Sequence, residues 1–112
     1  MKKEFRVKDT REFAEIMNYK KFYTCPSFVI YVKPRKEDHA RVGISVGKKM
    51  GKAVIRNKIK RQVRMMVQQT IDFEKSYDYI VIIRDKYLKL DFNSNLNELQ
   101  YLYKKILKRM EK

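Results

Sequence analysis

Cysteine, histidine, glycine, proline and acidic side chains are all scarce in this 112-residue chain. Cys25 is its only cysteine and His39 its only histidine, so no intrachain disulfide, no Cys/His zinc cage and no Cys-His nucleophile pair can be assembled. An ordinary hydrolase triad is excluded with them. Three glycines and two prolines supply no flexible linker, and no repeat or low-complexity run divides the chain, so residues 1–112 read as one domain. The strongly apolar runs, Phe28 to Val32 and Tyr79 to Ile83, fall far short of a membrane span. Met1 to Thr10 is charged where a signal peptide would be apolar. A reducing, cytoplasmic location is the expectation.

The acid deficit is the anomaly: 13 Asp and Glu stand against 28 Lys and Arg, a net charge of +15. Apolar residues make up 44% of the chain, the composition of a folded protein rather than of a disordered basic tail. A domain of this length buries about 60–70% of its unfolded surface, enough for one core without metal or disulfide. The excess charge therefore lies on the surface of a packed domain, where a bound polyanion offsets the cost of self-repulsion. An anionic membrane is the poorer partner, because the basic maximum lies mid-chain rather than in a terminal amphipathic helix.

Periodicity places the elements. Asp9 with Glu12 resembles a capping box, and Phe13, Ile16 and Met17 form a short stripe, which predicts a helix over Thr10 to Lys20. An irregular stretch follows up to Pro26. Ser27 to Lys33 alternates, with Phe28, Ile30 and Val32 on one face and Val29, Tyr31 and Lys33 on the other. Pro34 to His39 reads as a hairpin connection to a second strand, Arg41 to Val46, which predicts an antiparallel pair. Arg41, Gly43 and Ser45 on that strand's other face suit solvent or a nearby ligand. Gly47 and Gly51 bracket a basic loop. A second helix runs from Lys52 to about Thr70 or Phe73, with Ile55, Ile59, Val63, Met66 and Val67 on its stripe. Tyr79 to Arg84 is apolar enough to be an interior strand covered on both sides. Ser94 or Asn95 caps a last helix with Leu96, Leu99, Leu102, Tyr103, Ile106 and Met110 inward. The result is an α+β sandwich with helices packed on a mostly antiparallel sheet.

Charge is concentrated in one segment. From Arg41 to Ile71 there is no acid, while nine cations occur: Arg41, Lys48, Lys49, Lys52, Arg56, Lys58, Lys60, Arg61 and Arg64. On the second helix Arg56, Lys60 and Arg64, with Asn57 and Arg61, fill an arc beside the apolar stripe. Arg grips phosphate in a bidentate fashion, and Asn57 can engage a base edge or a 2′-hydroxyl. A merely soluble surface mixes both signs, so the segment reads as a nucleic-acid-binding face.

The stretch from Arg41-Val-Gly-Ile-Ser-Val-Gly through Arg56-Asn-Lys-Ile-Lys-Arg-Gln-Val-Arg64 resembles the signature region of the bacterial ribonuclease P protein family. The similarity extends to Phe13, to Phe28-Val-Ile-Tyr31 and to Asp78-Tyr-Ile-Val-Ile-Ile-Arg84. It implies an order α-β-β-β-α-β-α, a sheet of about four strands and a left-handed βαβ crossover. It further implies the accessory subunit of a ribonucleoprotein whose RNA, with magnesium, removes the 5′ leader of precursor tRNA. Lys48, Lys49, Lys52, Arg56, Asn57, Lys60, Arg61 and Arg64 would then meet the catalytic RNA, and Phe13, Met17, Tyr31 and Arg84 the leader. Met17 stands where a second aromatic is common in the family.

Stacking chemistry agrees with the leader assignment, since a single strand favours aromatic platforms flanked by cations. No residue looks able to cut RNA. His39 reads as an exposed loop residue, and no acidic pair has the spacing of a magnesium centre. The expectation is therefore no catalytic residue, no metal or cofactor held by the protein itself, and no obligate protein partner. The alternative function is a structural RNA-binding protein such as a ribosomal component.

Overall fold

The computed structural model describes residues 2–110. Helix α1 (Thr10–Asn18) is followed by strands β1 (Phe22–Thr24), β2 (Phe28–Pro34) and β3 (Val42–Ser45), helix α2 (Ala53–Thr70), strand β4 (Tyr77–Ile83) and helix α3 (Phe92–Met110). Short 3₁₀ turns occupy Lys3–Phe5, Lys48–Met50 and Asp85–Lys89.

The sheet order is β1-β2-β4-β3. β4 lies antiparallel to β2, with Ile30 opposite Val81, and parallel to β3, with Ile44 opposite Val81. The expected antiparallel pairing of the second and third strands does not occur. β4 inserts between them because Tyr79, Ile80, Val81 and Ile83 are all buried, and only a central strand is covered on both faces while hydrogen-bonding along both edges. The link from β2 to β3 thus crosses over β4 rather than turning a hairpin. The stretch before Pro26, irregular by periodicity, supplies the additional strand that the resemblance implies: Phe22–Thr24 is an edge strand paired with Val29 to Tyr31.

The strand alternation assigns the faces. Phe28, Ile30 and Val32 of β2 and Tyr79, Val81 and Ile83 of β4 meet Ile59, Val63, Met66 and Val67 of α2 and Leu99, Leu102 and Ile106 of α3. Each such side chain fully buried stabilises the fold by roughly 1.5–3 kcal/mol. The other face holds a smaller cluster, in which Ile16 of α1 packs with Val7 and Ile80, bordered by Phe13, Met17, Tyr31 and Ile82. Ile55 departs from the predicted stripe. It is 44% exposed, and burial along α2 begins only at Ile59. Its side chain instead lies against Gly51, where a Cβ would stand 3.0–3.2 Å from Ile55 and where φ is +136°.

Helix ends also differ in detail from the reading of the sequence. Asp9 does cap α1, accepting from the Arg11 N–H at 2.8 Å, but Glu12 turns away to Arg41 and completes no capping box. At α3 the cap is Asp91, which accepts from the Ser94 N–H at 2.8 Å. Asn95 is buried instead: its amide donates to the carbonyls of Tyr87 and Leu90, and its oxygen accepts from the Ser27 hydroxyl at 2.7 Å.

Candidate nucleic-acid interface

Burial of Ile59, Val63, Met66 and Val67 sets the orientation of α2, and the remaining positions follow from 100° per residue. Asn57, Lys58 and Arg61 point into solvent, while Arg56, Lys60 and Arg64 lie on the half-buried flank. Arg56 is held in place because its Nε donates to the Gly51 carbonyl at 3.1 Å. Lys48 and Lys49 project from the turn between Gly47 and Gly51. Lys49 reaches Asp85 at 3.6 Å with both side chains mostly in water, a contact worth little. No side chain caps the N-terminus of α2, which follows Lys52 and has no acid in its first turn. The positive end of the helix dipole thus adds to the lysines there rather than being neutralised.

Two basic residues that the sequence reading left aside join this face. Arg6 and Lys8, on the segment that crosses the β3 edge, line a groove of about 260 Å³ with Val42, Ile44, Lys60 and Arg64. Burial, and then the nearby Arg6 charge, push the Arg64 guanidinium below its ordinary pKa. Nothing in the local pattern of residues 6–8 marks them. Only the parallel bridge of Arg6 to Val42 brings them alongside α2.

Arg41 leaves the cationic surface. It is buried, and its Nη2 donates to Glu12 at 2.6 Å and to Asp78 at 3.3 Å. The Glu12 hydrogen bond raises the Arg41 pKa, and the same bond lowers that of Glu12. Eight of the nine cations counted in the sequence therefore remain on the surface.

On the other side of the sheet, α1 covers only part of the strands. The end of the Phe13 ring lies over Gly43, where a Cβ would be 2.6 Å from it. The small residue expected to face solvent or a ligand is thus buried beneath α1. Beyond α1 the sheet is open. Phe13, Ser45 and Lys60 line one groove of about 310 Å³ with Lys8 and Thr10, and Ser45, Lys49, Ile82, Arg84 and Lys86 line a second of about 420 Å³. Ser45 belongs to both, so the two grooves adjoin. Arg84 is fixed in the second by donating to the Cys25 carbonyl at 3.1 Å. Met17 and Tyr31 border the cluster under α1. Tyr31 lies tilted against Phe22, with ring centroids 5.3 Å apart, and Phe22 is an exposed aromatic that periodicity leaves in an irregular stretch. Lys60 is shared between the groove of Phe13 and the α2 flank, so the two surfaces meet at the β3 edge.

The arrangement offers cations and an aromatic ring to a polyanion. No three His, Cys, Asp or Glu side chains converge among the described residues, and Glu12 and Asp78 are committed to Arg41. His39 is not the exposed loop residue expected. It is half-buried, with its ring edge-on to Phe5 at 5.0 Å and Nδ1 3.1 Å from the Ala40 carbonyl. No helix among the described residues is long and apolar enough to cross a membrane.

The ribonuclease P family profile matches residues 1–107. The chain belongs to the ribonuclease P protein family. The ribonuclease P protein component of Mesoplasma florum is 44% identical over 110 residues, covering 96% of this chain and all of that one. That of Streptococcus pyogenes is 40% identical, covering 93% and 87%. Among solved structures, the Staphylococcus aureus ribonuclease P protein superposes with a TM-score of 0.79 at 34% identity, covering 89% and 93%. The Thermotoga maritima protein does so with 0.78 at 32%, covering 89% and 96%. The α+β architecture of three helices on a four-stranded mixed sheet is therefore that of ribonuclease P proteins, and the function is that of a ribonuclease P protein subunit in tRNA processing.

Proposed function

We propose that this protein docks on a catalytic RNA through α2 and holds the 5′ leader of precursor tRNA in the cleft beside α1. The observation that carries the reading is the junction at Lys60, which lines both the groove along the cationic flank of α2 and the groove beside Phe13 at the β3 edge. Lys48, Lys49 and Lys52 lead to the uncapped start of α2, where a phosphate completes the first turn. Arg56, Asn57, Lys60, Arg61 and Arg64 continue along the backbone of the RNA. Phe13 in the cleft and Tyr31 at the border of the cluster under α1 offer faces to bases, Met17 packs against the same cluster, and Arg84 neutralises a phosphate. Phe22 extends the platform.

The contribution to catalysis is positional and electrostatic. Bound at once to RNA and leader, the protein keeps the scissile phosphate in register. Its cations reduce phosphate repulsion and so lower the magnesium that the folded RNA requires. Bond cleavage is assigned to the RNA, and magnesium to the RNA as well, in keeping with the lack of any cluster of metal-ligating side chains among the described residues. We place the complex in the cytosol, in keeping with a free, buried Cys25.

Reconstitution tests the proposal. Mixed with a bacterial ribonuclease P RNA and a precursor tRNA at low magnesium, the protein should restore release of the leader. Absence of stimulation there, or cleavage by the protein alone, would overturn it.

A further inference from the structure

The helical layer carries a second acid-free cationic stripe, on α3. From Gln100 to Met110 the chain has Lys104, Lys105, Lys108 and Arg109 and no Asp or Glu. The one acid of α3, Glu98, is turned to Ser27, whose N–H it accepts at 3.0 Å. The four cations and Tyr101 line an open concavity of about 680 Å³ on the outward side of α3. Tyr101 is 67% exposed, so its ring adds nothing to the core.

The helix dipole accounts for cations in the last turn, here Lys108 and Arg109. It does not account for Lys104 and Lys105, one turn further in, or for an aromatic ring left in water. Tyr101, Lys104, Lys105 and Lys108 stand at spacings of three, four and seven, which places them on one side of the helix. Lys104 and Lys108 are about 6 Å apart along the axis, a step comparable to that between neighbouring phosphates of a strand. A ring flanked by such cations is a stacking platform for an unpaired base.

Position in the fold decides which nucleic acid can reach the stripe. α3 packs beside α2 on the same sheet face, and Gln69 and Thr70 of α2 line a groove with Gln100 and Lys104 of α3. Lys104 therefore belongs both to the groove between the helices and to the stripe. The cleft of Phe13 lies across the sheet. An RNA lying on α2 reaches α3 without leaving the helical layer, whereas a strand in the cleft does not. We propose that the outward face of α3 binds a second segment of the RNA subunit, with its phosphates on Lys104, Lys105 and Lys108 and an unpaired base on Tyr101. The inference rests on the assignment of α2 to that RNA.

The test measures binding of the full-length protein to the RNA subunit between 50 and 200 mM monovalent salt. Over this range the wild type should lose about 20- to 40-fold more affinity than the Lys104→Ala/Lys105→Ala/Lys108→Ala variant, since each phosphate contact contributes about 0.7 to 0.9 to the logarithmic salt slope. Tyr101→Ala should weaken binding at least about fivefold at unchanged slope, and Tyr101→Phe should match the wild type. The lysine substitutions lie on the helix surface, where alanine is the better helix former, so folding is retained. A triple variant with the wild-type slope, while Arg61→Ala still flattens it, overturns this inference and leaves the proposed function standing. Failure of the wild type to bind the RNA overturns both. Loss confined to precursor-tRNA affinity, or to binding of phosphatidylglycerol vesicles, also overturns it, and full affinity of Tyr101→Ala overturns the stacking contact.

Discussion

Arg41 and Glu12 meet at 2.6 Å across the gap between β3 and α1, and this ion pair, extended to Asp78 at 3.3 Å, fastens the helix to the sheet. Removing Arg41 leaves the Asp78 carboxylate buried without its cation. Arg41→Ala should therefore destabilise the fold by about 3–5 kcal/mol, the usual cost of breaking a buried pair from one side. Urea unfolding checks this, and a change no larger than that of a surface arginine would contradict the structure.

The same pair sets an acid limit. Hydrogen bonding to Arg41 holds the Glu12 pKa below its ordinary value of 4.5. A group whose folded pKa is depressed stabilises fully above its unfolded value and loses that contribution as pH falls through the folded one. Thermal stability should thus decline below about pH 4.5, and Glu12→Gln should decline less over the same interval. Parallel melting curves of the two proteins between pH 3 and 6 measure the difference.

Gly43 is the floor beneath Phe13. A methyl group there would sit 2.6 Å from the ring and 2.8 Å from Ile80 Cδ1, so Gly43→Ala must displace α1 or the ring, at about 1–3 kcal/mol. Because Phe13 also lines the cleft, the substitution should weaken leader affinity while leaving RNA-subunit affinity unchanged. Equal losses at both would show that the two surfaces are not separate.

Salt dependence distinguishes the surfaces. Arg61→Ala should lower the salt slope of RNA-subunit binding by about one phosphate contact. Arg56→Ala should do the same and also lose the bond to the Gly51 carbonyl. Phe13→Ala should leave the slope intact and act on precursor-tRNA affinity. Binding titrations of the three variants at several salt concentrations make the comparison, and identical behaviour of all three would remove the division.

Local pattern and composition alone determined much of this protein. Period-2 alternation identified both faces of β2, period-3.6 stripes found all three helices, and the acid-free run placed the cationic face on α2, because each of these signals is carried by neighbours in the chain. Phe13, Tyr31 and Arg84 of the proposed leader site come from the resemblance and from the preference of single strands for rings and cations.

What only the tertiary structure decided involves partners distant in sequence. The insertion of β4 between β2 and β3 depends on which strand best tolerates burial on both faces, a comparison no single segment contains. Arg41 reads as one more RNA-binding cation until Glu12 and Asp78 are folded against it, since a charge is silenced only by what is brought to it. Arg6, Lys8 and Phe22 come beside the proposed site because the N-terminal segment lies along α2 and β1 pairs with the strand of Tyr31. Their own neighbours in the chain give no sign of it.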